Sequence, residues 1–241
     1  LFLLLITGMP LAFVTLLVAL IFALGWFGPM AVPLITSRIF SFVNSFVFVS
    51  VPMFVLMAAI LDRSGIARDL FDAMRVVGGR LRGGIAIQTL LVAVVLAAMS
   101  GIIGGEVVLL GLLALPQMLR LGYDRRLAIG VCCAGGALGT MVPPSIVLII
   151  YGLTASVSIG DLFTASFLPG LMLASFYIIY VLVRAYMNPD IAPIPEPDET
   201  TTAEKIRLLK GLILPIIVVI FVLGSIYGGI ASVTEASAIG V

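Results

Sequence analysis

Residues 135–145 read Gly135-Gly136-Ala137-Leu138-Gly139-Thr140-Met141-Val142-Pro143-Pro144-Ser145, in the middle of a run, 127–160, that carries no charge. A run of this length exceeds the roughly 20 residues that span a bilayer as a helix, so one straight span does not account for it. Pro143 and Pro144 remove two backbone donors and push the residues before them out of the helical region. The glycines just upstream weaken the helix further. Ser145 or Thr140 can cap whatever helix follows. The pattern predicts a helix broken near the middle of a membrane.

The surroundings agree with a membrane. Of 241 residues, 62% are hydrophobic and 10% charged, against about 25% charged in soluble domains. The first 37 residues carry no charge, and further neutral runs cover 39–61, 83–105, 107–119, 162–183 and 211–234. This composition excludes a soluble enzyme and a nucleic-acid binder, and it defines an all-α polytopic membrane protein. There is no His, so His-based metal sites, general bases and proton relays are absent. Cys132 and Cys133 are adjacent, a spacing that suits neither a disulfide nor a metal site, and read as two small apolar residues of a buried helix. The chain opens inside an apolar run and closes just after a helix-start signal, so it reads as a fragment.

Charge then sets the sides. Residues 62–82 hold Arg63, Arg68, Arg75, Arg80 and Arg82, with Ile66, Leu70, Phe71, Met74 and Val77 at helical spacing. This is an amphipathic surface helix on the cytoplasmic side. Arg120, Arg125 and Arg126 place a second segment on the same side. Residues 83–119 between them must leave the cytoplasm and return, as two arms of about 16 residues, each reaching roughly 24 Å against a core of about 30 Å. Their centre is Ser100-Gly101-Ile102-Ile103-Gly104-Gly105. Short apolar arms around a glycine-rich turn describe a re-entrant hairpin, whose tip must be buried in protein or line a water-filled cavity; a pair of short spanning helices is the plainer alternative.

The remaining segments follow from the same signals. Residues 1–27 form a first span that Gly28-Pro29 ends, 29–42 an interfacial segment, and 44–61 a second span with Pro52 inside it. Residues 163–183 span back to Arg184, and 188–204 are a proline-rich linker. Capping boxes, Thr201 to Glu204 and Ser232 to Glu235, open two later helices around a span over 211–227. Trp26 and Tyr123 read as interfacial anchors.

A broken helix beside a re-entrant hairpin lets opened carbonyls and negative helix ends hold a cation, while positive ends attract an anionic group. The candidate oxygens are the Ser100, Thr140 and Ser145 hydroxyls and the carbonyls around Gly101, Gly139 and Val142. Oxygen-only ligation suits Na⁺. A serine in a membrane helix also commonly bonds its own backbone. Glu106 is the only carboxylate in 83–119; it reads either as a coupling or substrate-selecting group or as a cap at the start of the second arm. Asp161 reads as a helix-start acid at the outer surface.

Four stretches occur in an order that resembles a known family: residues 8–13 (GMPLAF), 51–57 (VPMFVLM), 139–145 (GTMVPPS) and Thr234-Glu235-Ala236. The chain resembles the large membrane subunit of tripartite ATP-independent periplasmic (TRAP) transporters, over essentially its whole length and on the side of the first of two inverted repeats. The resemblance implies an ion-transporter-type elevator fold. Scaffold spans and the cytoplasmic helix would occupy 1–82, the transport segment 83–183, a cytoplasmic linker 184–206, and a span with the start of the second half 207–241. It implies Na⁺-driven import of an organic acid, often a C4-dicarboxylate or sialic acid, across a bacterial or archaeal inner membrane. The implied partners are a small membrane subunit and a periplasmic binding protein, and Na⁺ is the coupling ion with no other cofactor. Family Na⁺ sites carry over onto Ser100, Gly101, Gly139, Val142 and Pro143, and a substrate would meet Ser100, Glu106, Thr140, Pro144 and Ser145. The family's tip usually reads Ser-Gly-Ser-Ser; Ser100 and Gly101 match, while Ile102 and Ile103 replace two hydroxyls. A permease or channel working without a binding protein is the alternative function. An intramembrane enzyme is excluded, since no His stands behind a serine and Asp161 has no intramembrane partner acid.

Overall fold

The computed structural model describes residues 1–78, 81–101, 103–193 and 210–241, and every described element is helical or a turn. Residues 1–45 and 46–241 form two separate units. In the first, α1 (Phe2–Ile6) and α2 (Leu11–Phe27) are followed by a 3₁₀ turn, Gly28–Met30, and α3 (Ala31–Val43). The expected stop at Gly28-Pro29 is therefore only a tightened turn: Leu11–Val43 is one apolar helical stretch of 33 residues. Pro29 sits at the start of that turn, where its missing N–H costs no bond.

The second unit begins with a 3₁₀ turn, Phe46–Val49, then α4 (Ser50–Arg63) and α5 (Ile66–Gly78). Pro52 lies inside the expected span, in the first turn of α4, where proline is tolerated. The chain bends by 63° between α4 and α5. The amphipathic reading of α5 holds: Ile66, Ala67, Leu70, Phe71 and Ala73 are buried. Arg80, the side chains of Arg75 and Val77, the linker beyond residue 193 and the Thr201–Glu204 box lie outside the described residues.

The core is built on α6 (Gly84–Ser100), of whose 17 residues 13 are buried. A helix apolar all round must be enclosed, and α5, α7 (Ile103–Arg120), α8 (Arg125–Ala137) and α10 (Ile159–Met187) enclose it. The two polar residues of its first half are satisfied: Gln88 Nε2 donates to the Phe71 carbonyl at 2.5 Å, tying α6 to α5, and Thr89 donates to the Ile85 carbonyl at 2.8 Å. Tyr123 is not an interfacial anchor. It is buried, and its hydroxyl accepts from the Ile85 N–H at 3.3 Å, one of the donors that a helix start leaves open.

α8 is capped by Asp124, which accepts from the Arg126 and Leu127 amides at 3.0 Å. It ends in a 3₁₀ turn, Leu138–Thr140, and helix resumes as α9 (Ile146–Ala155). α10 runs for 29 residues, longer at both ends than the expected 163–183, with Ser158 capping its start through the Asp161 amide at 3.3 Å. Asp161 is thus the first-turn acid expected. The linker folds back at once: the Asp124 amide donates to the Ile191 carbonyl at 2.9 Å, and Ala192 is buried. After the undescribed stretch come α11 (Ile213–Tyr227) and α12 (Val233–Gly240), the latter opened by the complete Ser232–Glu235 capping box. By length and composition, two helices among the described residues could cross a membrane, or three if α4 and α5 count as one bent span.

Candidate functional site

The hairpin arms α6 and α7 meet at Gly101, whose φ of +60° is the left-handed conformation that glycine adopts without a Cβ penalty. Ile102, and the side chain of Ile103, lie outside the described residues. The tip does not face open space. A Cβ on Gly101 would fall on the Pro144 carbonyl oxygen and lie 3.2 Å from the Ser145 Cα. The Gly101 carbonyl accepts from the Ile146 N–H at 3.4 Å. The end of α6 is therefore seated on the start of α9, so the negative end of one half-helix meets the positive end of another.

The second arm meets the other half of the break. Glu106, in the first turn of α7, is 3% exposed. Its Oε1 accepts from the Ser100 hydroxyl, which ties the two arms together across the tip. A Cβ on Gly139 would lie 2.7 Å and 2.9 Å from the two Glu106 carboxylate oxygens. One turn earlier, a Cβ on Gly136 would lie 2.8 Å from the Val107 backbone N and Cα. Gly135 and Gly136 do not end the helix; they lie inside α8 and let α7 approach closely. The start of α7 thus stands against the end of α8, a second opposed pair of helix ends.

Within the break, Met141 N–H and Val142 N–H donate to the Leu138 carbonyl at 2.9 and 2.8 Å. Ser145 is fully buried, and its hydroxyl bridges the break to the Thr140 carbonyl at 3.0 Å. The Thr140 hydroxyl bonds its own turn, at the Ala137 carbonyl, 2.8 Å away. Pro143 and Pro144 are buried and joined by a cis peptide bond. α10 closes the far side: a Cβ on Gly170 would lie 3.3 Å from the Met141 carbonyl oxygen and 3.2 Å from the Val142 side chain.

The candidate residues divide accordingly. Ser100, Gly101, Glu106, Gly139, Pro144 and Ser145 come together where the tip enters the break. Thr140, Val142 and Pro143 line the break behind them. The sequence did carry the signal for the Glu106–Gly139 contact: Gly135, Gly136 and Gly139 share one helix face, the spacing of a close-approach stripe. Cys132 is buried, its thiol donating to the Leu110 carbonyl at 3.7 Å, whereas Cys133 is exposed rather than buried.

The arrangement puts buried carbonyls, hydroxyls and one carboxylate among opposed half-helix ends, in a chain of apolar helices. It defines a polytopic helical membrane protein whose opened backbone is gathered in one place. The chain belongs to the tripartite ATP-independent periplasmic transporter DctM-component family, whose model matches residues 1–241. It is 33% identical over 215 residues to the C4-dicarboxylate TRAP transporter large permease protein DctM of Pseudomonas aeruginosa, covering 88% of this chain and 49% of that protein. It is 33% identical over 190 residues to the ectoine/5-hydroxyectoine large permease protein UehC of Ruegeria pomeroyi, covering 79% and 44%. It is 30% identical over 236 residues to the isethionate permease protein DctMQ of Oleidesulfovibrio alaskensis, covering 98% and 36%. The chain spans about half or less of the length of these relatives.

Proposed function

We propose that the chain supplies half of the large membrane subunit of a Na⁺-driven importer of an organic acid. The observation that carries this reading is the seating of Gly101 on Pro144 and Ile146, with Glu106 against Gly139. Opened backbone deep in a membrane protein must be satisfied, and here the negative ends of α6 and α8 and the positive ends of α7 and α9 converge. Negative ends and carbonyls favour a cation, positive ends an anion. Ser100, Gly101, Gly139, Val142 and Pro143 would hold Na⁺; Ser100, Glu106, Thr140, Pro144 and Ser145 would face the substrate.

Relatives are named for a C4-dicarboxylate, ectoine and isethionate, so family membership leaves the acid open, and a carboxylate is the class we infer. The importer would move in an elevator manner in a bacterial or archaeal inner membrane. A periplasmic binding protein would deliver the substrate, and a small membrane subunit would complete the permease; one relative's name, DctMQ, fits such a pairing. The test is uptake by the complete transporter in liposomes, with candidate acids screened in turn. Accumulation is expected only with an inward Na⁺ gradient and the binding protein. Undiminished uptake without Na⁺ would remove the symport assignment, and uptake without the binding protein would favour a free-standing permease.

A further inference from the structure

At the opposite end of α8 from the break, a cleft of about 660 Å³ opens between α8 and α10. Arg126 and Arg184 line it, together with Tyr177 and Tyr180, and Leu90 of α6 and Ile191 of the linker turn also contribute. The two helices run in opposite directions, so the first turn of α8 and the last turn of α10 bring both arginines to one end. From there the lining becomes apolar. Ala134 lies 8 residues along α8 from Arg126 and Phe176 lies 8 residues along α10 from Arg184, about 12 Å in each case.

Among the described residues neither guanidinium pairs with a carboxylate. Asp124 also lines the cleft; its Oδ1 accepts from the Arg126 and Leu127 amides, and its single charge is outweighed by the two arginines. The α8 N-terminus adds partial positive charge at the same end, offset by the α10 C-terminus beside it, so the two guanidinium groups carry the attraction. Along α8 the wall beyond Arg126 is made of Leu127, Gly130, Val131 and Ala134, and nothing lies within 4 Å of where a Gly130 Cβ would stand.

We propose that this cleft holds one anionic phospholipid, its phosphate between Arg126 and Arg184 and the upper part of an acyl chain along Gly130 and Ala134. The arginines belong to the cytoplasmic side by the charge rule, where anionic head groups bind basic pockets between helices. Tyrosine near the head group has an apolar ring for the chain and a hydroxyl for the polar end. The volume is that of a small-molecule site, whereas a packed helix is about 10 Å across and would need an open face. The proposal is independent of the transport reading, since it uses none of the residues at the break.

The complete permease, extracted in mild detergent, should retain phosphatidylglycerol in native mass spectrometry when offered an equal mixture with phosphatidylcholine. Arg126→Gln/Arg184→Gln should lower that retention about tenfold, the scale of one charge-assisted hydrogen bond. Gly130→Leu should lower it as well with both arginines in place, because it fills the acyl track. All three positions are exposed, so folding should survive; unfolding temperatures in lipid-free detergent would verify this. Unchanged retention in both variants would overturn the site. Equal competition by soluble glycerol phosphate would also overturn the lipid assignment, since it would require no acyl chain.

Discussion

Along α8, Gly130 and Gly136 meet different surroundings. At Gly130 a methyl group would enter open space, whereas at Gly136 it would lie 2.8 Å from the backbone of Val107. Backbone cannot swing aside as the end of a side chain can, so Gly136→Ala must push α7 off α8, at a cost of about 1–3 kcal/mol. Gly130→Ala should stabilise the helix by about 0.5–1 kcal/mol, by reducing the freedom of the unfolded chain. Thermal unfolding of the two variants in one detergent compares them directly, and equal midpoints would refute the α7–α8 apposition. The hydroxyls make a similar contrast. Ser100→Ala takes the donor from a buried carboxylate oxygen and should cost about 1–3 kcal/mol. Thr140→Ala removes a bond to the helix's own turn at Ala137 and should cost less; the reverse order in the same assay would count against the Ser100–Glu106 tie.

At the scale of elements, the two prolines do more than interrupt a helix. With alanine at 143 and 144, the chain from α8 to α9 could close into one helix, and the Ile146 N–H would then bond the Val142 carbonyl four residues back. The Gly101 carbonyl would lose its partner and the hairpin tip its seat. Pro143→Ala/Pro144→Ala should therefore abolish uptake while the protein still inserts in the membrane, as uptake and membrane fractionation on the same cells would report; uptake at the parent level would remove the break as the site. The break was legible in the sequence because proline and glycine act locally, through a missing donor and a permitted φ. The two arms, α6 and α7, were legible because charged segments bound an apolar stretch with a glycine-rich turn at its centre. What remained hidden was tertiary: whether Glu106 capped its own arm or met another element depended on a helix that begins about twenty residues later. Tyr123 was misread for the same reason, since its aromatic character suits an interface and a buried cap equally and only the Ile85 amide decides between them. The glycine stripe was visible, but its role needed a facing helix, which no single segment supplies.

For the molecule as a whole, orientation follows from joining charge to contact. The linker's Ile191 carbonyl accepts from the Asp124 amide, so the end of α10 and the turn between α7 and α8 share one end of the second unit. Arg120, Arg125, Arg126 and Arg184 gather there, and by the charge rule the excess of arginine predicts that this end is cytoplasmic. The 29 residues of α10 extend about 43 Å, more than the roughly 30 Å hydrocarbon core, so the turn before it is expected on the other side. Val157 in that turn is exposed, and Asp190 in the linker is exposed as well. In a Cys132→Ala/Cys133→Ala background, Val157→Cys should react with a membrane-impermeant maleimide added to intact cells. Asp190→Cys should react only after the membrane is opened. The opposite pattern would invert the protein and move the Arg126–Arg184 cleft away from the leaflet that supplies its anionic lipid. If both positions react from the same side, α10 does not cross the membrane, and the expectation of a hairpin re-entrant from the cytoplasm falls with it.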